Sequence, residues 1–288
     1  MRIILAIGPF SVALFTTFAA HAQLATAPYD LGTTHRYVQA SQLWPQVQGE
    51  VALRNGDYVL LGVQGRRIFD NAYQYSRSLG FDVRQVAVGY EHFTNGNAHW
   101  SYGATARLVG AGGPVVVIPE VLLRHRSPVV GGIYLGQRLS IERTFSNGST
   151  PALESGPAGQ FWTRLRVDAE RELPLGNGGA ALRPRISYEA ATHLRLQKEA
   201  NDSDERTIQF TSLRGEVGLR VSKAVDITPW FAYQTQYFET LPQYDAKGNP
   251  TAGGKVNAVY PTFGVDLRFT LVPTSTAQKE HQQLPAQH

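Results

Sequence analysis

The sequence contains no cysteine, which removes disulfide frameworks, thiol catalysis and a lipid-modified first residue together. Charge of one sign is also lacking: 27 Lys and Arg against 23 Asp and Glu leave a net of only +4. That excess is too weak for the clustered basic face that nucleic acid demands. Past residue 22 no apolar run reaches 18 residues, so no transmembrane helix is encoded there. No phosphate loop, dinucleotide fingerprint or zinc signature occurs, nor any heptad or internal repeat. His35, His125, His193, His281 and His288 show no ligand spacing. The expectation is therefore no metal, no cofactor and no nucleic-acid partner.

What is present begins with a basic start, Met1-Arg2, and an apolar stretch from Ile3 to Ala20. Ala20 and Ala22 then place small residues where a signal peptidase reads them. That layout predicts a signal peptide over 1–22, cleaved between Ala22 and Gln23, and export. A short segment over 23–33 follows, then one large β domain over 34–273 and a polar, Gln-rich disordered tail over 274–288.

The β domain is read from dyad alternation. Phe263, Val265, Leu267, Phe269 and Leu271 alternate with Gly264, Asp266, Arg268 and Thr270. Phe161, Thr163, Leu165 and Val167 interleave with Arg164, Arg166, Asp168 and Glu170. Leu182, Pro184, Ile186 and Tyr188 interleave with Arg183, Arg185, Ser187 and Glu189. Period two puts apolar groups on one face and charge on the other. An exported β-sandwich alternates too, and it stands as the alternative. The lengths of the runs, often ten residues or more, favour a barrel.

Connections alternate as well. Short links fall at Asn55-Gly56, at 95–97, 126–129, 176–179 and 222–224. Long ones fall at 69–79, 146–157, 192–205 and 241–255, with a short exception at 110–113. Short turns opposite long loops are the arrangement of an antiparallel up-and-down transmembrane β-barrel, and an even strand count makes twelve the expected number, with Thr34 to Leu43 as the extra strand and ten as the alternative. Pro119, Pro184, Pro229 and Pro261 fall within or near strands and count against the assignment, because each lacks a ladder donor.

The order of segments resembles an outer-membrane β-barrel family of unknown function from Gram-negative bacteria. The resembling pieces are Trp44 through Arg66-Arg67, Pro119-Glu120 through the stretch Leu135 to Arg143, Arg164 to Arg166 ending at Leu173 to Leu175, the strand through Glu189, and Arg214 to Tyr237. The resemblance implies a barrel in the bacterial outer membrane and no catalytic residues. Expected partners are outer-membrane lipids, lipopolysaccharide and the barrel-assembly machinery.

Two constellations carry possible chemistry. His92, Phe93, Thr94, Asn95 and Gly96 resemble the His-x-Ser-Asn-Gly segment of outer-membrane phospholipases; His92 and Thr94, two apart, share a strand face. Thr replaces the Ser and no orienting third residue is visible, so a hairpin loop accounts for the same residues. A His92–His99 metal pair is excluded by register, since with His92 opposite Trp100 the two rings point to opposite faces. The second constellation is the charged face itself. Arg124, Arg138, Glu142, Arg164, Arg166, Asp168 and Glu170 are expected to line an interior, with Arg183, Arg185, Glu189, Arg214, Glu216, Asp266 and Arg268. Near-equal signs predict a cross-paired, narrow or closed bore and a structural or small-solute role; the alternatives are a lipid-acting enzyme using His92 and Thr94, or a soluble binding sandwich.

Overall fold

The structure, a computed structural model, describes residues 29–53, 55–70, 79–94, 99–111, 115–145, 161–176, 179–194, 207–222 and 224–271. The expected signal peptide, its cleavage site and the polar tail lie outside these residues. Among the described residues there is no helix. The strands are β1 (His35–Val38), β2 (Gln42–Ala52), β3 (Tyr58–Ile68), β4 (Val83–Phe93), β5 (Trp100–Gly110), β6 (Val116–Pro128) and β7 (Ile133–Arg143). They continue with β8 (Phe161–Arg171), β9 (Leu173–Pro174), β10 (Ala181–Leu194), β11 (Phe210–Ser222), β12 (Val225–Tyr244) and β13 (Pro250–Leu271).

From β2 to β13 each long strand pairs antiparallel with the next, and β13 then pairs with β2 to close the sheet on itself. That last pair is parallel, Thr262 opposite Gln42 through Leu271 opposite Val51. The barrel therefore has 11 strands and mixed pairing, with β1 and β9 as short additions. This corrects the expectation of twelve strands, or ten, in a wholly antiparallel barrel. It also replaces the two stacked layers of a sandwich with one closed sheet.

The reason for the odd count is local. The stretch from Tyr37 to Trp44 contains no Gly, Pro, Asn or Asp with which to reverse direction. Thr34 to Leu43 therefore makes no separate upward strand. β1 and β2 instead run in the same direction along β13, Val38 opposite Val259 and Gln42 opposite Thr262. Four steps on one side match three on the other, which makes β1 and β2 two pieces of a single bulged strand.

Prolines sit where a ladder breaks. Pro119 pairs with Ala106, but the ladder to β7 begins only at Glu120. Pro184 pairs with Val217 and lies in the gap between the β8 and β9 ladders. Pro229 pairs with Val265, while the β11–β12 ladder skips from Trp230 to Ile227. Pro261 pairs with Tyr233 and stands at the β1–β2 junction. Pro45 follows suit, opposite Val265, where the β2–β3 ladder skips from Leu43 to Gln46. Each proline loses a donor toward one neighbour only, so the residues that seemed to oppose a barrel are accommodated by it.

Connections of differing length segregate by end. The five at the end holding Ala52 and Leu271 are short, including the single pair Lys223-Ala224 between β11 and β12. At the opposite end β3–β4, β7–β8 and β10–β11 are joined by long segments, and β5–β6 by a short one. The expected loop over 241–255 is instead mostly strand. β12 and β13 extend as a hairpin to a tight turn in which Asp245 accepts from the N–H groups of Lys247 and Asn249. Tyr29, in the short segment ahead of β1, donates to the Gly253 carbonyl at 2.7 Å and ties that segment to the hairpin.

Alternation gives the barrel an apolar outside. Val121, Leu165 and Ile186 are 58, 51 and 56% exposed, whereas Glu50, Glu142 and Arg166 are 0, 1 and 4% exposed. Phe263, Val265 and Phe269 face outward while Asp266, Arg268 and Thr270 are buried, as the alternation requires. The buried apolar groups form small clusters near the ends: Ala52, Tyr58 and Leu60 at the short-turn end, and Val109, Val116 and Ile118 toward the other. Two further clusters, Trp44 with Trp230 and Ala232, and Trp162 with Ala191 and Phe210, stand among the buried polar and charged groups.

Candidate functional site: the charge-paired interior

Each interior charge reaches its place because a strand alternates and its neighbour is in register. Arg138 in β7 stands opposite Arg124 in β6 and Arg166 in β8, and Arg185 in β10 stands opposite Glu170 and Glu216. Arg124, which faces Arg138, and several other guanidiniums find their carboxylates one strand further on. Arg107 in β5 pairs with Glu142 in β7, Arg124 in β6 with Glu91 in β4 at 3.2 Å, and Arg126 in β6 with Glu170 in β8 at 2.9 Å. Arg183 in β10 reaches Asp226 in β12 at 3.3 Å, and Arg214 in β11 reaches Asp266 in β13 at 2.7 Å. A guanidinium long enough to cross a strand thus stitches alternate strands together.

The pairs connect into belts. Arg164 bridges Glu142 at 3.0 Å and Glu189 at 2.9 Å. Arg138 pairs with Glu120, which also accepts from Thr105 at 2.9 Å. Glu170 receives Arg183 at 3.0 Å, and Arg185 pairs with Glu216, which Arg214 also contacts at 2.7 Å. Arg268 meets Glu50 at 3.3 Å across the parallel closure, and Gln48 donates to the same carboxylate at 2.7 Å. Arg166 donates to Ser187 at 3.3 Å, and Asp168 fits against Gly136, where any side chain would collide with its carboxylate. Of the fourteen charged residues expected to line the interior, from Arg124 to Arg268, twelve are buried, and Arg138 and Glu189 are half-buried.

Aromatic groups join this network. The Trp230 indole donates to Asp266 at 2.8 Å, lies 4.1 Å from the Arg214 guanidinium and meets Trp44 edge-on at 6.0 Å. Arg66 sits over the Trp44 ring at 3.9 Å. The glutamines of β2, Gln42, Gln46 and Gln48, are all buried and form an amide edge beside the charges. Trp44 entered only as the start of a resembling segment and the glutamines not at all, although the spacing of Gln46 and Gln48 beside Glu50 carries the same period as the charges.

The two catalytic nominees lie elsewhere, at the short-turn end and on the outside. His92 pairs opposite Tyr102, two residues from the expected Trp100, because β4 runs on to Phe93. The shift is even, so His92 and His99 still occupy opposite faces. His99 bonds the Arg126 carbonyl at 2.7 Å. His92 does have an orienting partner: its Nδ1 lies 2.8 Å from the carboxylate of Asp57, in the β2–β3 turn. Asp57 is fully buried and also accepts from the Tyr90 hydroxyl and the Phe93 N–H. Burial pushes its pKa up, but these donors prevail and hold the carboxyl below its ordinary value. Thr94 donates its hydroxyl to the Trp100 carbonyl at 3.2 Å, closing the β4–β5 hairpin. Asp57 thus serves as a cap that fastens two adjacent turns. Sequence reasoning missed it because 35 residues separate it from His92.

Among the described residues no group of three or more His, Asp and Glu is arranged to hold a metal ion. Comparison with protein families, with curated proteins and with solved structures gave no match.

Proposed function

We propose that this chain is an outer-membrane β-barrel protein whose cross-paired interior leaves a narrow chamber rather than a wide pore, giving it a structural or small-solute role. The observation that carries the reading is the inside-out distribution of polarity. Valines, leucines, isoleucines and aromatics stand exposed on strands all around the barrel, while arginines and carboxylates are buried within it. In water that arrangement leaves a large apolar area unburied; against lipid tails it is the favourable one. A closed sheet also satisfies its backbone with no free edge, as a lipid-immersed sheet must. The secretory pattern over 1–22 and the segregation of short turns to one end support the same reading.

The interior argues for a small conductance. Eleven strands enclose far less space than the 16 to 18 of a general porin, and the arginine belts cross it. Expression in a Gram-negative host followed by membrane fractionation tests the placement: the protein is expected with the outer membrane and soluble only in detergent. Recovery from the periplasm without detergent would overturn it. Planar-bilayer recording tests the bore, with small or absent steps expected and large, stable, porin-like steps contradicting it.

A further inference from the structure

The charges are balanced along the barrel as a whole but not where the interior is open. One cavity of about 80 Å³, open to solvent, lies between the middle of the barrel and the long-connection end. Arg107, Arg138, Arg164, Arg166 and Arg214 line it, against Glu120, Glu142 and Glu189, an excess of two positive charges. Beneath it, toward the short turns, Glu50, Glu91, Arg124, Arg185 and Arg268 are buried and form no part of its wall. The space is therefore a cup with an ionic floor.

Its walls differ in kind. The guanidinium wall comes from β5, β7, β8 and β11. The other side, from β3 and β4, includes Gly62, Ala87 and Gly89, whose small size creates the room. Trp44 and Trp230 flank the space, and Gln46 borders it. Gln46 is only 4% exposed, yet its carbonyl oxygen has no hydrogen-bond partner, and the Nε of Arg107 is likewise without one. A buried guanidinium donor held in reserve is what a site for an anionic ligand provides, and the Gln46 acceptor leaves room for a donor elsewhere on the ligand.

We infer that this chamber is a binding site for a small organic carboxylate, its anionic end on the arginine wall and its flat apolar body against the glycine–alanine wall and the tryptophans. The inference rests on the barrel reading and names the solute class that the chamber accepts. Positive excess in a confined, low-dielectric space attracts an anion. Planar forks that donate to two oxygens favour carboxylate geometry. A fully hydrated inorganic ion makes no use of the indoles or the small-residue wall.

Calorimetric titration of the full-length, detergent-folded barrel tests this, with benzoate as probe, benzamide as its uncharged isostere and inorganic phosphate as the body-less anion. Benzoate is expected to bind, benzamide at least about tenfold more weakly and phosphate more weakly than benzoate. Arg166→Gln should weaken benzoate about tenfold and Arg166→Lys restore part of the loss. Gly62→Leu provides an independent variant, because a Cβ there meets nothing nearer than 3.8 Å and Gly62 lines the chamber without carrying charge. It should abolish binding while the barrel stays folded. No benzoate binding, equal binding of benzamide, tighter binding of phosphate, or full benzoate affinity in folded Gly62→Leu would each overturn the assignment. These outcomes concern the folded barrel alone; failure of the membrane reading appears separately, in fractionation.

Discussion

The Trp230 indole occupies the space that a side chain at Gly264 would need: a Cβ built on Gly264 falls 2.1 Å from the ring. The ring cannot swing away without breaking its bond to Asp266 and leaving the Arg214 guanidinium. Gly264→Ala should therefore destabilise the folded barrel by about 1–3 kcal/mol, the usual cost of overpacking. Gly215→Ala, where a Cβ meets nothing within 4 Å, is the control and should be near neutral. Urea unfolding in lipid vesicles, followed by tryptophan fluorescence, reads both.

Ion pairs inside and at the rim should differ in worth. Glu142 is 1% exposed and serves two arginines, Arg107 and Arg164. Glu142→Gln strands both and should cost about 3–5 kcal/mol. Glu172, partner of Arg220 at 2.8 Å near the short turns, is more open to solvent. Glu172→Gln should cost no more than about 1 kcal/mol. Matched unfolding curves decide it.

The outward face should show depth dependence. Leu267→Arg, within the β13–β2 and β12–β13 ladders, should cost about 2–4 kcal/mol, whereas Leu271→Arg at the strand end should cost about 0–1 kcal/mol. A surface washed by water would tolerate both alike.

Acid should loosen the short-turn end. Asp57 has a depressed pKa, so its contribution to stability is complete above the unfolded carboxyl value of about 4 and disappears as pH falls through the lower folded value. Hydrogen exchange over residues 53–58 should therefore accelerate below about pH 4 in the native protein. In Asp57→Asn it should be fast at every pH and lack that step.

The alternation of Phe263 to Leu271 and of Arg164 to Glu170 was legible because period two is local, and it gave the inward face without any knowledge of neighbours. Closure was not legible. The parallel meeting of Gln42–Val51 with Thr262–Leu271 joins residues 220 apart, and an assumption of even strand number concealed it. The prolines misled for the same reason, since a donor's loss matters only relative to a ladder the sequence does not display. Asp266 shows the limit on single residues. Its side was readable, but not that Trp230 and Arg214 both bond to it.

Under the proposed function the outward face meets lipid while the inward face does not. The absence of cysteine permits single spin labels on an otherwise native chain. In β7, Leu139 and Ile141 are 46 and 41% exposed and flank Ser140, which is 2% exposed. Leu139→Cys, Ser140→Cys and Ile141→Cys should be labelled, refolded into vesicles and examined by power-saturation electron paramagnetic resonance. The account predicts high accessibility to oxygen and low accessibility to a water-soluble nickel relaxant at 139 and 141, with neither reagent reaching 140 well. Strong nickel relaxation at 139 and 141, the mark of a face in water, would contradict it.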